Sequence, residues 1–208
     1  LYLVIPCYNE EAVLPETTKR LTEKMHTMIR AEQVDPESRI LYVDDGSKDK
    51  TWAIISEYAE AIPYVDGVKL AHNRGHQNAL LAGLMTAMPL CDCAISMDAD
   101  LQDSPDEIPE LRRMILEEGY DMVSGWKLKR HDPIGKRWPS KFFNWTARTV
   151  SGIKLHDFNC GLKAYRRKVV KSIEVYGEMH RYIPYLAKEA GFDKIGEKAV
   201  SYTHLRAH

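Results

Sequence analysis

The chain has 208 residues, 44% of them hydrophobic, enough for one α/β domain or two small ones with a sizeable core, which excludes a wholly disordered chain. The most membrane-like uncharged run, Ala79–Cys91, is 13 residues long and contains Gly, Thr and Pro, whereas a span needs roughly 18 apolar residues. The formal net charge of −1 hides a division: residues 1–126 carry 11 Lys and Arg against 23 Asp and Glu, residues 127–208 carry 18 against 7, so an acidic half suits a cation and a basic half suits phosphates, nucleic acid or a membrane surface.

Leu1–Pro6 is a short apolar run with no basic segment before it and no small-residue cleavage site, so it reads as a strand and not as a leader. The missing initiator Met points to an excerpt of a longer chain. Val13, Leu14, Leu21, Met25, Met28 and Ile29 recur at helical offsets and predict an amphipathic helix, after which Arg39–Asp44 is a second strand. Ser47 is positioned to cap a second helix with an inner stripe of Trp52, Ile55, Ala59 and Ile62, stopped by Pro63. Gly67–Ala71 reads as a third strand. Gly75–Met88 is nearly all apolar and predicts a helix buried on most sides, feeding a central strand Cys93–Met97. Ser104, Pro105, Asp106 and Glu107 form a helix-start signal, with Ile108, Leu111, Met114 and Ile115 as the core stripe, Gly119 as the stop and Asp121–Gly125 as a returning strand. Beyond residue 126 the periodicity weakens into a basic, aromatic stretch, Lys127–Trp145, read as a loop and an amphipathic helix.

Alternating strands and helices with crossovers of this length predict a mostly parallel sheet with helices on both faces, whose ligands bind beyond the carboxyl ends of the strands. The polar clusters fall there. Asp98-Ala-Asp100, with Gln102 and Asp103, places two carboxylates at i and i+2 on one side of an extended backbone, where a hard cation would relieve their repulsion; a surface acidic pair is the plain alternative. Asp44-Asp45-Gly46-Ser47 reads either as the start of a helix or as a site at which Asp44 meets a base or ribose. Pro6-Cys7-Tyr8-Asn9-Glu10 is a turn or the rim of a nucleoside site. Arg74, ahead of the apolar helix, and the free N–H groups there suit an anion. Asp157 precedes a Gly-containing turn, and His180-Arg181 would clamp a diphosphate. Trp126, Lys127, Lys129, Arg130, Trp138, Phe142, Phe143 and Trp145 suit a solvated amphipathic helix, an anionic bilayer or single-stranded nucleic acid. Cys7, Cys91, Cys93 and Cys160 have no CxxC spacing, which argues for reduced thiols and against a zinc site. No GxGxxG follows the first strand, which disfavours a dehydrogenase.

In order and spacing, Pro6–Glu10, Val43–Ser47, Asn73–Gln77, Met97–Asp103, Asp157–Gly161 and His180-Arg181 resemble the family 2 glycosyltransferases of the GT-A fold. The similarity runs from Leu1 to about Val200 and points within the family to the polyprenyl-phosphate sugar transferases, such as dolichol-phosphate mannose synthases and bactoprenol glucosyltransferases. It implies a nucleotide-sugar-binding half (1–126) and an acceptor half (127–200), with 201–208 unassigned. Pro6, Tyr8, Asn9, Glu10, Asp44, Asp45, Arg74, Asp98 and Gln102 would hold the nucleotide sugar, Asp98 and Asp100 a Mg²⁺ or Mn²⁺ ion, and Lys127, Arg130, His180 and Arg181 phosphate groups of donor or acceptor. Asp157 corresponds to the candidate base of an inverting displacement. Because a phosphate acceptor with a second pKa of about 6 is already largely ionised, Asp157 has more to orient than to deprotonate. The resemblance further implies a UDP- or GDP-hexose donor, a polyprenyl phosphate acceptor, no nucleic-acid partner and work at the cytoplasmic face of a membrane. Two other readings remain open at this point: transfer to a soluble glycan or protein, and a non-catalytic nucleotide-sugar or nucleic-acid binding module.

Overall fold

The computed structural model describes residues 1–100, 102–127 (of Lys127 only the backbone), 153, 155–158, 160–172 and 183–200. Among the described residues, seven strands form one sheet: β1 (Tyr2–Cys7), β2 (Arg39–Asp44), β3 (Val65–Lys69), β4 (Cys93–Ser96), β5 (Met122–Lys127), β6 (Lys163–Arg166) and β7 (Ile195–Val200), in the order β3-β2-β1-β4-β6-β5-β7. Strands β3, β2, β1 and β4 are mutually parallel. The β6 strand runs antiparallel between β4 and β5, and β7 adds parallel to β5. The sheet is therefore mostly parallel, with one reversed strand that the sequence did not announce.

Residue alternation in β1 and β2 divides the core. Leu3, Ile5, Ile40 and Tyr42 face the side covered by α1 (Leu14–Arg30), α2 (Thr51–Ala61) and α4 (Ile108–Leu116), whose Leu21, Met25, Ile55, Leu111 and Ile115 join them. Tyr2, Val4, Leu41 and Val43 face the side covered by α3 (His76–Ala87), α5 (Arg167–Ser172) and α6 (Ile183–Glu189). Every residue of β1 is buried because both faces are covered. Each fully buried Leu, Ile or Val side chain contributes about 1.5–3 kcal/mol, so the two cores hold the strand ends in place whatever the loops above them do.

Pro6 in a central strand needs a reason, since it brings no N–H to the ladder. Val4 offers its carbonyl to Met97 on the β4 side, and Pro6, two residues on, points its nitrogen the same way. By then β4 has ended at Ser96, so no ladder bond is missing.

Several local expectations shift. The third strand is Val65–Lys69, not Gly67–Ala71. It pairs through its backbone at the sheet edge, where side-chain pattern sets the ends poorly. The fifth begins at Met122 and reaches Lys127. Ser104 does accept from the Asp106 N–H, but it starts a 3₁₀ turn, Pro105–Glu107. The α-helix starts only at Ile108, with Pro109 in its first turn. Gly119 ends that segment at φ +78°. Ser47 caps no helix: α2 starts at Thr51 without a side-chain cap. The α3 helix is not buried on most sides; Ala79, Leu80, Gly83, Leu84 and Ala87 are, while Met85 and Thr86 are exposed. All four cysteines are buried thiols outside any disulfide, and burial pushes the Cys93 thiol up to about 12. Among the described residues no helix is long and apolar enough to cross a membrane.

Candidate active site

Three loops at the carboxyl ends of β1, β2 and β3 lock together through backbone N–H groups and short polar side chains. Asn9 takes a left-handed conformation, φ 56°. It donates its N–H to Ser47 Oγ (3.0 Å) and accepts from the Lys48 N–H through Oδ1 (2.9 Å). The Glu10 N–H donates to Thr51 Oγ1 (2.8 Å). Ser47 and Thr51 therefore hold the Cys7–Glu10 loop. Asp45 is buried and accepts from the Arg74 and Gly75 N–H groups (2.7 and 2.8 Å), fixing the turn that leads into α3. Gly46, at φ +67°, lies so close to that turn that a Cβ would stand 2.6 Å from the His72 carbonyl carbon.

A cleft of about 410 Å³ opens where these loops meet; Pro6, Glu10, His76, Gln77, Asp98, Asp100, Gly161 and Lys163 are among its walls. Asp98 follows β4 outside any regular element and Asp100 lies in a turn; both line the cleft together with Ala99, which is itself buried. Thr17 of α1 anchors the turn by donating to the Ala99 carbonyl at 2.6 Å. Asp100 Oδ1 accepts from the Gln102 N–H (3.1 Å), and Asp98 Oδ1 lies 3.6 Å from His76 Nε2.

Negative charge is crowded here. Burial, and then the charges of Asp100, Asp49 and Asp98, push the Glu10 carboxyl above its ordinary value. At the floor is Lys163, 4% exposed, whose ammonium donates to the Cys160 carbonyl. Burial drives its pKa down, opposed by Cys160, Asp157, Asp98 and Asp103. Lys163 thus lies electrostatically between the DxD turn and Asp157.

Of the sequence-derived residues, Pro6, Glu10, Asp98 and Asp100 meet at the cleft. Tyr8 and Asn9 are exposed on the same loop, and Arg74 is exposed ahead of α3. Asp44 is fully buried below the loops; its Oδ1 accepts from the Ser47 N–H at 3.2 Å, and its Oδ2 has no hydrogen-bond partner among the described residues. Asp157 is buried outside the cleft wall, with its carbonyl 3.4 Å from Ser124 Oγ. The Lys127 side chain, Arg130, His180, Arg181 and the aromatic stretch from Trp138 to Trp145 lie outside the described residues. His76, Gln77 and Lys163 were not singled out from the sequence, although each stands inside or next to a motif that was.

The sequence profile of glycosyl transferase family 2 matches residues 2–174. The chain belongs to that family. It is similar to the undecaprenyl-phosphate 4-deoxy-4-formamido-L-arabinose transferase of Pseudomonas syringae pv. syringae (strain B728a), with 38% identity over 187 residues, 89% of this chain and 52% of the relative. The uncharacterized glycosyltransferase YkoT of Bacillus subtilis (strain 168) is 38% identical over 195 residues, 92% of this chain and 57% of that one. This family 2 chain spans about half the length of the curated relatives it matches. Among solved structures, the Mycobacterium tuberculosis glucosyl-3-phosphoglycerate synthase in complex with Mn²⁺, UDP and phosphoglyceric acid aligns with a TM-score of 0.68 at 20% identity, covering 99% of this chain and 71% of that one. The shared fold is GT-A.

The residues present fit a divalent cation. Gly161 has no side chain where a Cβ would stand 2.5 Å from Asp98 Oδ2, so the backbone cradles that carboxylate. The donors are hard oxygens, as Mg²⁺ and Mn²⁺ prefer. Among the described residues no three His, Cys, Asp or Glu side chains make a metal cage on their own.

The raised Glu10 pKa has a measurable sign. Because the folded protein holds that proton more tightly than the unfolded chain, the metal-free protein gains stability as pH falls from neutral through the raised value toward 4.5, and loses it as pH rises again. Glu10→Gln is expected to melt about 1–3 °C above wild type near neutral pH without metal, with the gap closing in acid. Thermal melts across that range check it; an unchanged or lowered melting temperature would contradict the crowding.

Proposed function

We propose that this domain is the catalytic unit of an inverting, metal-dependent transferase that moves a hexose from a nucleoside diphosphate to a polyprenyl phosphate. The observation that carries the donor half is the convergence of Glu10, Asp98 and Asp100, from two strand ends, on one cleft beside the amino terminus of α3. Carboxylates so placed repel a bare diphosphate and accept one that arrives with a cation. The acceptor half is supported by the relatives named as undecaprenyl-phosphate transferases and by the basic composition after residue 126.

In this reading Asp98 and Asp100 hold the Mg²⁺ or Mn²⁺ ion, and Pro6, Tyr8, Asn9, Glu10, Asp44, Asp45, Arg74 and Gln102 shape the donor site. The Oδ2 of Asp44, without a hydrogen-bond partner among the described residues, is an acceptor suited to a base N–H or a ribose hydroxyl. The bound cation would stabilise negative charge on the departing nucleoside diphosphate. An acceptor phosphate oxygen attacks the anomeric carbon from the face opposite the leaving diphosphate; the new C–O bond forms as the old one breaks, and the configuration inverts. Asp157 orients the acceptor, with Lys127, Arg130, His180 and Arg181 as its phosphate partners. In this reading the transfer takes place at the cytoplasmic face of the membrane.

The test is a screen of UDP- and GDP-hexoses with the full-length protein, following nucleoside diphosphate release with Mg²⁺, Mn²⁺ or chelator, and with or without a short polyprenyl phosphate. Release that needs both the metal and the lipid phosphate is the expected result. Release stimulated only by a water-soluble glycan would redirect the acceptor assignment, and tight donor binding with no release under any condition would remove the enzyme reading.

A further inference from the structure

Glu197 lies outside the cleft and outside every motif that marked the site, yet it grips the chain at Asp157. It sits on β7, with its side chain 11% exposed. One carboxylate oxygen accepts from the backbone N–H groups of both His156 (2.7 Å) and Asp157 (3.0 Å), and the other lies 2.6 Å from His156 Nδ1. From the neighbouring strand, Trp126 stacks on the same imidazole, ring centroids 4.2 Å apart and planes 19° apart. The β5–β7 register sets Ser124 against Glu197 and Trp126 against Ala199, so the two strands seize one dipeptide by its backbone, its ring face and its ring nitrogen.

The grip is more specific than packing requires. Ile153, Leu155 and Phe158 already tether this segment in a small apolar cluster with Ile195. A carboxylate shared between two consecutive N–H groups fixes the peptide plane ahead of Asp157 as well, and with it the direction in which the Asp157 side chain leaves the backbone. Charge-assisted bonds of this type are shorter and roughly twice as strong as neutral ones.

We infer that Glu197 is a positioning residue that sets the Asp157 carboxylate for the transfer step, an inference that rests on the reading of Asp157 as the acceptor-orienting group. Glu197 does not line the cleft and would act through Asp157. Its effect falls on turnover and not on donor affinity, because the donor loops of β1, β2 and β4 share no hydrogen bond with it among the described residues.

The test uses the full-length protein and the variants E197A, E197Q, D157N and D157N/E197A. A displaced reacting group costs up to about 100-fold, so E197A is expected to lower kcat by about 10- to 100-fold with the donor KM within about twofold. E197Q, whose amide oxygen still accepts from both N–H groups, should recover most of the loss. In the D157N background, E197A should add almost nothing, since residues that act as one unit are non-additive. If the losses multiply, or if E197A keeps full turnover while D157N does not, the inference is overturned and the Asp157 reading stands. Full activity of D157N overturns the Asp157 reading itself. If E197A does not fold, E197D, which withdraws the carboxylate by one carbon, takes its place with the same expected split between kcat and KM.

Discussion

Asp100→Asn is expected to lower sugar transfer by about 10²- to 10³-fold, the usual cost of removing one group that stabilises developing charge, while the melting temperature without metal stays within about 2 °C of wild type. The fold is spared because the asparagine keeps an oxygen for the Gln102 N–H that Asp100 Oδ1 now accepts at 3.1 Å. The Ala99 carbonyl stays tied to Thr17 in either case. What changes is charge. Loss of one carboxylate relieves Glu10, whose pKa should fall back toward its ordinary value because Asp100 is the first of the neighbouring charges that raise it. The same relief weakens attraction for a cation, so the upward shift in melting temperature on adding Mn²⁺ in wild type should shrink or vanish in the variant. Two measurements check this: nucleoside diphosphate release and thermal melts with and without Mn²⁺. Undiminished turnover would remove Asp100, and the cation assigned to it, from the reaction.

Legibility of the site followed the range of the interactions involved. Pro6, Glu10, Asp98 and Asp100 were visible because each stands at the end of an apolar strand, and a parallel sheet delivers such residues to one edge. Ser47 misled because a hydroxyl ahead of a helix pattern is locally indistinguishable from a cap. Its actual partner, the Asn9 N–H, is 38 residues away and leaves no local trace. The apolar run of α3 concealed an exposed face because Met85 is apolar, and composition alone does not show which side turns outward. The antiparallel β6 was hidden by brevity: Lys163–Arg166 is four residues long and begins and ends on cations, although Lys163 proves buried. Glu197 carried no signal at all, since its role is set by N–H groups about 40 residues earlier in the chain.

Gly161→Ala tests whether the cleft depends on close approach of backbone to carboxylate. The added methyl would stand 2.5 Å from Asp98 Oδ2, 2.8 Å from Cγ and 2.9 Å from Oδ1, well inside van der Waals contact, so either the peptide or the carboxylate must move. The peptide is held from two sides: the Gly161 carbonyl accepts from Ser96 Oγ on β4 at 2.8 Å, and the carbonyl of Leu162 accepts from the Gly125 N–H on β5 at 2.8 Å. Asp98, with 38% of its side chain exposed, is the softer partner and should swing into the cleft, away from its place beside Asp100. A shift of about 1 Å in a site of this type costs on the order of 10²-fold in rate, so turnover should fall by that factor. Melting should drop by only about 2–4 °C, the equivalent of roughly 1 kcal/mol in a domain of this size. The carboxylate accounts for the loss if Asp98→Ala and the double variant Asp98→Ala/Gly161→Ala are equally impaired, because a methyl group cannot displace a side chain that is no longer there. Wild-type turnover in Gly161→Ala would mean that Asp98 functions without its glycine cradle, and a melting temperature lowered by ten degrees or more would place the strain in the sheet and not in the site.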